Sequence, residues 1–333
     1  METKNIILLT AILSLILTGC GSQPQTNENS INTMNPFIGG TVGLNAYLLE
    51  GLPPPFIQDA GQSPFSMAVV LENQGESDVG VAPNNYFKVR LEGINPAQWN
   101  VQNPVQDLSS VPLRGARRNY DGTVLPGETI PVSFESMNYM PNIRGNTEFI
   151  LRAQVCYDYS NIATTKVCIK DDVLENIQDS TMCKLAGEKF PQNSGGPMHI
   201  TSVVQNPLAA NKIQVNFVVE HVGFGDFYGP GVPDETCDPS ISNFNKHKVK
   251  VIVHDSPDDG FSIGCPRFGG LNVNQGTITL YQGLPQTISC VMTRDSQSSG
   301  RVFQDLLEIE TQYRYGQFIE TPIIVQDVSF EPI

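Results

Sequence analysis

The chain has 333 residues, 40 % of them hydrophobic and 16 % charged, with 29 Gly and 24 Pro. That is the profile of a turn-rich globular protein and it excludes a Glu/Lys/Leu-rich helical bundle; the length suits about two domains, each able to bury a core. A formal net charge of −14 argues against nucleic acid or an anionic membrane surface as partner, because both would repel the protein.

Residues 1–19 read as a signal peptide. Lys4 supplies a charged start and Ile6 to Leu17 is an apolar run of 12 residues, too short for a spanning helix of about 20 residues. The ending Leu17-Thr18-Gly19-Cys20 resembles a prokaryotic lipobox. That resemblance implies cleavage after Gly19 and a diacylglyceryl group on Cys20, anchoring the protein at the extracytoplasmic face of the cell membrane. Two acyl chains anchor stably where one would be marginal. Residues 20–40 are rich in Asn, Gln, Ser and Thr without apolar periodicity and read as a flexible tether, about 25 Å from end to end.

From Thr41 the pattern is β. Val42, Leu44, Ala46 and Leu48 alternate, then Phe65, Met67, Val69 and Leu71, then Phe87, Val89 and Leu91, and after a long loop Ile130, Val132 and Phe134. No segment sustains a 3.6-residue period over three turns, so little helix is expected. Glu148 to Asp171 reads as a β-hairpin, a long alternating strand followed by a short loop and an apolar return strand. This stretch recurs near the C-terminus: Tyr157, Tyr159, Thr165 and Asp171 return as Tyr313, Tyr315, Thr321 and Asp327, all at an offset of 156. The other strands recur at offsets from 148 to 162, with Gly223 in the place of Gly75 and His221 in that of Asn73. Such drift is what loop insertions produce, the longest lying at residues 223–246. The expected organisation is a duplication: an immunoglobulin-like sandwich at 41–171, a junction at 172–197 and a second sandwich at 198–333.

Seven cysteines less Cys20 leave six, which in an exported chain reads as three disulfides. Within the expected hairpin Cys156 and Cys168 share the outward face of neighbouring strands, which predicts a Cys156–Cys168 bridge exposed to solvent. Cys265 and Cys290 alternate with inward residues and predict a buried staple. Cys183 and Cys237 remain, either paired across the junction or free. His199, His221, His247 and His254 lack metal-ligand spacing. Asp255 to Gly260 looks like half a calcium loop, but Pro257 stands at a ligand position and Pro266 at the twelfth, so a solvated turn is expected. Arg114, Arg117 and Arg118 form the only basic cluster, suited either to gripping a carboxylate or phosphate or to a solvated loop. No G-x-S-x-G, H-E-x-x-H, Walker or dinucleotide motif occurs, so no catalytic residue, metal or cofactor is expected.

Val69-Val70-Leu71-Glu72-Asn73-Gln74-Gly75 resembles the start of the CARDB-like immunoglobulin modules of prokaryotic surface proteins. With Val155 to Tyr159, Lys166 to Ile169, Cys183 and Gly195-Gly196-Pro197, the chain is similar, over residues 38–327, to uncharacterised envelope lipoproteins of small-genome archaea. The resemblance implies tandem immunoglobulin-like folds and a membrane anchor, and no catalytic residues. The expectation is a non-catalytic structural or binding module of the cell envelope, with envelope proteins or glycans as partners. Its alternatives are an adhesin or carbohydrate binder using the long loops, Phe224 to Tyr228 among them, and a secreted hydrolase with an unfamiliar site.

Overall fold

Alternation of apolar and polar residues translates into strands along most of the chain. The computed structural model describes residues 35–170, 173, 183–232, 236–254, 261–270, 272–294 and 302–328. The first half contributes β1 (Leu44–Leu48), β2 (Phe56–Gln58), β3 (Phe65–Asn73), β4 (Phe87–Glu92), β5 (Val105–Asp107), β6 (Arg117–Arg118), β7 (Val124–Leu125), β8 (Thr129–Met137) and β9 (Thr147–Lys170). The second contributes β10 (Gly187–Lys189), β11 (Gln192–Asn193), β12 (Met198–Ala209), β13 (Lys212–His221), β14 (Asp226–Tyr228), β15 (Lys248–His254), β16 (Phe261–Gly264), β17 (Gln275–Thr279), β18 (Gln286–Arg294) and β19 (Val302–Gln326). Among the described residues the helical segments are single 3-10 turns at Pro266–Phe268 and Tyr281–Gly283. The fold is all-β, as the composition and periodicity predict.

Three sheets carry the structure. A three-stranded sheet runs β1-β3-β8, a five-stranded one β10-β12-β13-β18-β16, and a nine-stranded one β17-β15-β19-β9-β4-β5 with β2, β11 and β14 added along its long strands. Alternate residues of β3, β4, β13 and β15 are buried, and the inward faces of the three sheets share one hydrophobic core. This is the layered arrangement of an immunoglobulin-like sandwich. The duplication is visible in the pairing: β3 with β8 and β4 with β9 in the first half correspond to β13 with β18 and β15 with β19 in the second.

The expected hairpins do not form. β9 is one continuous strand of 24 residues and β19 one of 25. They pair antiparallel with each other from Thr147 against Val325 to Lys170 against Val302. The stretch expected to turn, Ser160-Asn161-Ile162-Ala163-Thr164, holds neither Gly nor Pro, and no residue of β9 has a positive φ. A tight hairpin turn needs positive φ at one or both central residues, so the backbone here stays extended. The apolar return segments are used, but each repeat lends its segment to the other: Ala163 to Lys170 pairs with the beginning of β19, and Phe318 to Val325 with the beginning of β9. The repeats expected at 41–171 and 198–333 are joined by this common sheet, and residues 35–333 cluster as one compact unit.

Candidate binding site

The register places a pseudo-twofold axis in the middle of the long pair. Tyr157 lies opposite Tyr315, Asp158 opposite Arg314 and Tyr159 opposite Tyr313. Since Tyr157 repeats as Tyr313 and Tyr159 as Tyr315, the axis exchanges the two tyrosine pairs and runs through Asp158 and Arg314.

On the inner face the four tyrosines form one buried cluster, with ring centroids 5.8–6.2 Å apart. Buried hydroxyls need partners, and each has one. Tyr157 accepts from the Leu44 N–H at 3.1 Å, and Tyr159 donates to the Gly195 carbonyl at 3.1 Å. Tyr313 donates to Asn161 Oδ1 and Tyr315 accepts from the Gly225 N–H at 2.6 Å. Burial lifts all four phenols above their ordinary value, Tyr315 to about 12. The repeated glycines meet these hydroxyls. A Cβ on Gly75 would lie 1.8 Å from the Tyr159 oxygen, and one on Gly223 would lie 2.5 Å from that of Tyr315, so no side chain fits at either position.

On the outer face the axis opens into a cavity of about 570 Å³, within the range of small-molecule sites. Its floor is Asp158 and Arg314, whose side chains are 11 % and 3 % exposed. Arg314 Nε donates to Asp158 Oδ1 at 2.7 Å, Nη2 to Oδ2 at 3.3 Å and Nη1 to the Val232 carbonyl at 2.8 Å. The guanidinium carbon lies 3.6 Å from the centroid of the Tyr86 ring. A buried charge pair of this kind holds only when its remaining donors are also satisfied. Burial raises the Tyr86 phenol, and Arg314 beside it opposes that rise.

The first repeat supplies one wall through Pro83, Asn84 and Asn85, and the second another through Pro230, Gly231, Lys250 and Gln312. Asn84 is fixed from below: its Nδ2 donates to Ser77 Oγ at 2.8 Å and Ser160 Oγ at 3.2 Å. Cys237, in the long insertion of the second repeat, bridges to Cys156 on β9, and Gln154 Nε2 donates to the Cys237 carbonyl at 2.9 Å. The insertion is thus bound to a strand of the first repeat beside the cavity. Gly316 lies opposite Cys156, and a Cβ there would meet Cys237 Cβ at 2.7 Å.

Two expected disulfide pairings are corrected here. The bridges are Cys156–Cys237, Cys168–Cys183 and Cys265–Cys290. Cys156 and Cys168 stand on one uninterrupted strand, about 40 Å apart at 3.3 Å per residue, beyond any bridge. Nor is Cys156 exposed, because the insertion covers the outer face there and leaves it 3 % accessible. Cys265–Cys290 joins the residue just after β16 to β18 within the core, as the inward alternation predicts.

The remaining sequence candidates are dispersed. Arg114 lies 4.0 Å from Glu128, Arg117 pairs with Asp78 at 2.7 Å and Arg118 donates to the Phe37 carbonyl at 3.3 Å, so this cluster is engaged internally. His254 sits 2.9 Å from Glu310, His199 meets the Gly40 carbonyl at 3.2 Å and His221 the Tyr315 hydroxyl at 3.4 Å. His247 packs on Phe227 at 5.5 Å. Among the described residues no three ligating side chains gather for a metal. In the loop expected to offer aromatic surface, Phe224 is 100 % exposed, but Phe227 and Tyr228 are each 1 % exposed because β14 pairs with β19. Ile38 and Gly39, expected to belong to the tether, are fixed at the seam, where the Glu76 carboxylate accepts their N–H groups and that of Gly195. Cys20 and the Asp255–Gly260 loop lie outside the described residues.

Sequence reasoning missed the cavity, although one signal was present. The offset of 156 sets Asp158 against Arg314, opposite charges at matching outward positions of the repeat. No family model matches the chain and no curated protein matches it, so the chemistry of the seam cavity is the ground on which its function is read.

Proposed function

We propose that the protein is a lipid-anchored, non-catalytic binding module of the cell envelope, held at the extracytoplasmic face of the membrane through Cys20 and binding small polar ligands or glycan ends in the seam cavity. One observation carries this reading: loops of both repeats wall a single cavity over a fixed polar floor, and a disulfide secures the insertion beside it. Sites of this build, concave and rigid with a few placed polar groups, are how proteins take up small ligands. The described carboxylate in the cavity is committed to Arg314, which supports recognition over acid-base chemistry. A second reading, an adhesin using exposed loop residues, is favoured by the fully exposed Phe224.

Two variants test the proposal. Cys20→Ser should release the protein from membranes, and partitioning equal to that of the wild type would refute the anchor. Asn85→Trp, at the exposed rim, should block the cavity and abolish retention on immobilised cell-envelope polysaccharide. If retention persists with the fold intact, the cavity is not the binding site.

A further inference from the structure

Among the described residues the cavity lining carries a charge balance opposite to that of the whole protein. The chain as a whole is −14, yet the described residues lining the cavity include two cations, Lys250 and Arg314, and one carboxylate, Asp158. Asp158 and Arg314 neutralise each other at 2.7 Å, and the guanidinium is further occupied by Val232 and the Tyr86 face. Lys250 stands beside them on the outward face of β15, opposite Gln312, and no ion pair engages it among the described residues. On the adjoining strand Glu310 accepts from the Gln312 amide at 2.7 Å and lies 2.9 Å from His254. Besides the charged groups, the polar side chains of the lining include the amides of Asn84, Asn85 and Gln312, the Ser109 hydroxyl and the Tyr86 phenol.

We infer that this cavity selects a small hydroxylated carboxylate, of the sugar-acid class, with the carboxylate against Lys250 and the hydroxyls on the side-chain amides of Asn85 and Gln312. The inference rests on the proposed binding role and specifies its ligand. An ammonium with no ion-pair partner among the described residues attracts an anion most strongly within a recess that excludes part of the water. Amides offer donors and acceptors together, which suits hydroxyl groups that do both. A neutral sugar of the same shape keeps the amide contacts and forgoes the charge, so discrimination between the two reads out Lys250 alone. Lys250 is half-exposed at the wall, open to a ligand from the cavity.

Calorimetric titration of the soluble Cys20→Ser protein with glucuronate and with glucose tests this. Glucuronate should bind at least about tenfold more tightly than glucose, a difference of about 1.4 kcal/mol. Lys250→Gln should remove that preference, bringing the two affinities together, with the circular dichroism spectrum intact. Raising ionic strength from about 0.1 M to 1 M, which shortens the screening length from about 10 Å to 3 Å, should weaken glucuronate and spare glucose. Equal binding of the two probes, or an unchanged preference in Lys250→Gln, would overturn the inference. So would failure of both probes to bind a protein that still retains envelope polysaccharide in an Asn85-dependent way, an outcome that spares the binding role. If the acidic ligand is a chain end, oligo-uronate should outcompete the monomer; if it is a free sugar acid, the monomer should bind as well as the oligomer.

Discussion

Replacing Cys156 and Cys237 together by alanine probes both the continuous strand and the covered outer face. The bridge spans 81 residues of sequence, against 15 for Cys168–Cys183 and 25 for Cys265–Cys290. On the chain-entropy relation these separations correspond to about 4.5, 3.0 and 3.5 kcal/mol of destabilised unfolded chain. The ranking therefore puts the seam bridge first, where an exposed hairpin bridge at Cys156 would rank last. Both of its cysteines are also buried, so alanine removes packing with the cross-link. The expected loss for the double variant is therefore at least about 4.5 kcal/mol, measured as the shift of the denaturant midpoint at constant slope. Alkylation under graded reductant should open Cys168–Cys183 first, since Cys183 is the partly exposed member of that pair, and Cys156–Cys237 later. Non-reducing peptide mapping must return the same three pairs. A Cys156–Cys168 peptide, or a loss below about 1 kcal/mol for the seam variant, would refute the strand exchange on which this reasoning stands.

Three further outcomes follow from the same geometry. A chain nicked within residues 187–196 should remain one particle after reduction, because β9 and β19 pair across their whole length; size-exclusion chromatography resolving two separately folded fragments would contradict the shared sheet. Asp158→Asn should cost about 3–5 kcal/mol, since it removes the buried carboxylate that accepts two hydrogen bonds from the Arg314 guanidinium, while Arg152→Gln, at the exposed pair with Glu320, should cost under about 1 kcal/mol; equal denaturant midpoints for the two variants would refute the buried pair. Burial holds His221 neutral with its pKa lowered to about 4, whereas the unfolded chain titrates near 6.5. Between these values the unfolded state binds the extra proton, so stability falls as pH drops from about 6.5 to 4, by about 2–3 kcal/mol for this ring. His199 and His247 are also lowered by burial and act in the same direction. His221→Asn, the residue of the first repeat at that place, should flatten the pH dependence of the melting temperature, and an undiminished slope would show that another group is responsible.

Local chemistry written along the chain determined the β class, the strand positions, the repeat and the inward Cys265–Cys290 staple. Alternation of apolar side chains decides which face is buried wherever a strand forms, so Met67, Val69 and Leu71, and Val215, Phe217 and Val219 a repeat later, were legible as core. The equivalence of Gly75 with Gly223 and of Tyr159 with Tyr315 was legible too, while its reason, a hydroxyl seated where a Cβ would be, was not. What tertiary structure alone decided is the partner of each strand. The sequence of Glu148 to Asp171 is equally compatible with a strand folding back on itself and with one running on into its sister repeat. The choice between them lies in a five-residue stretch that holds neither Gly nor Pro, and in a sister strand of matching length. From that choice follow the Asp158–Arg314 pair on the axis, the insertion crossing to Cys156 and the cavity between the loops, because all three join residues 81 or more positions apart, and no local pattern encodes which distant segment fills an open sheet edge.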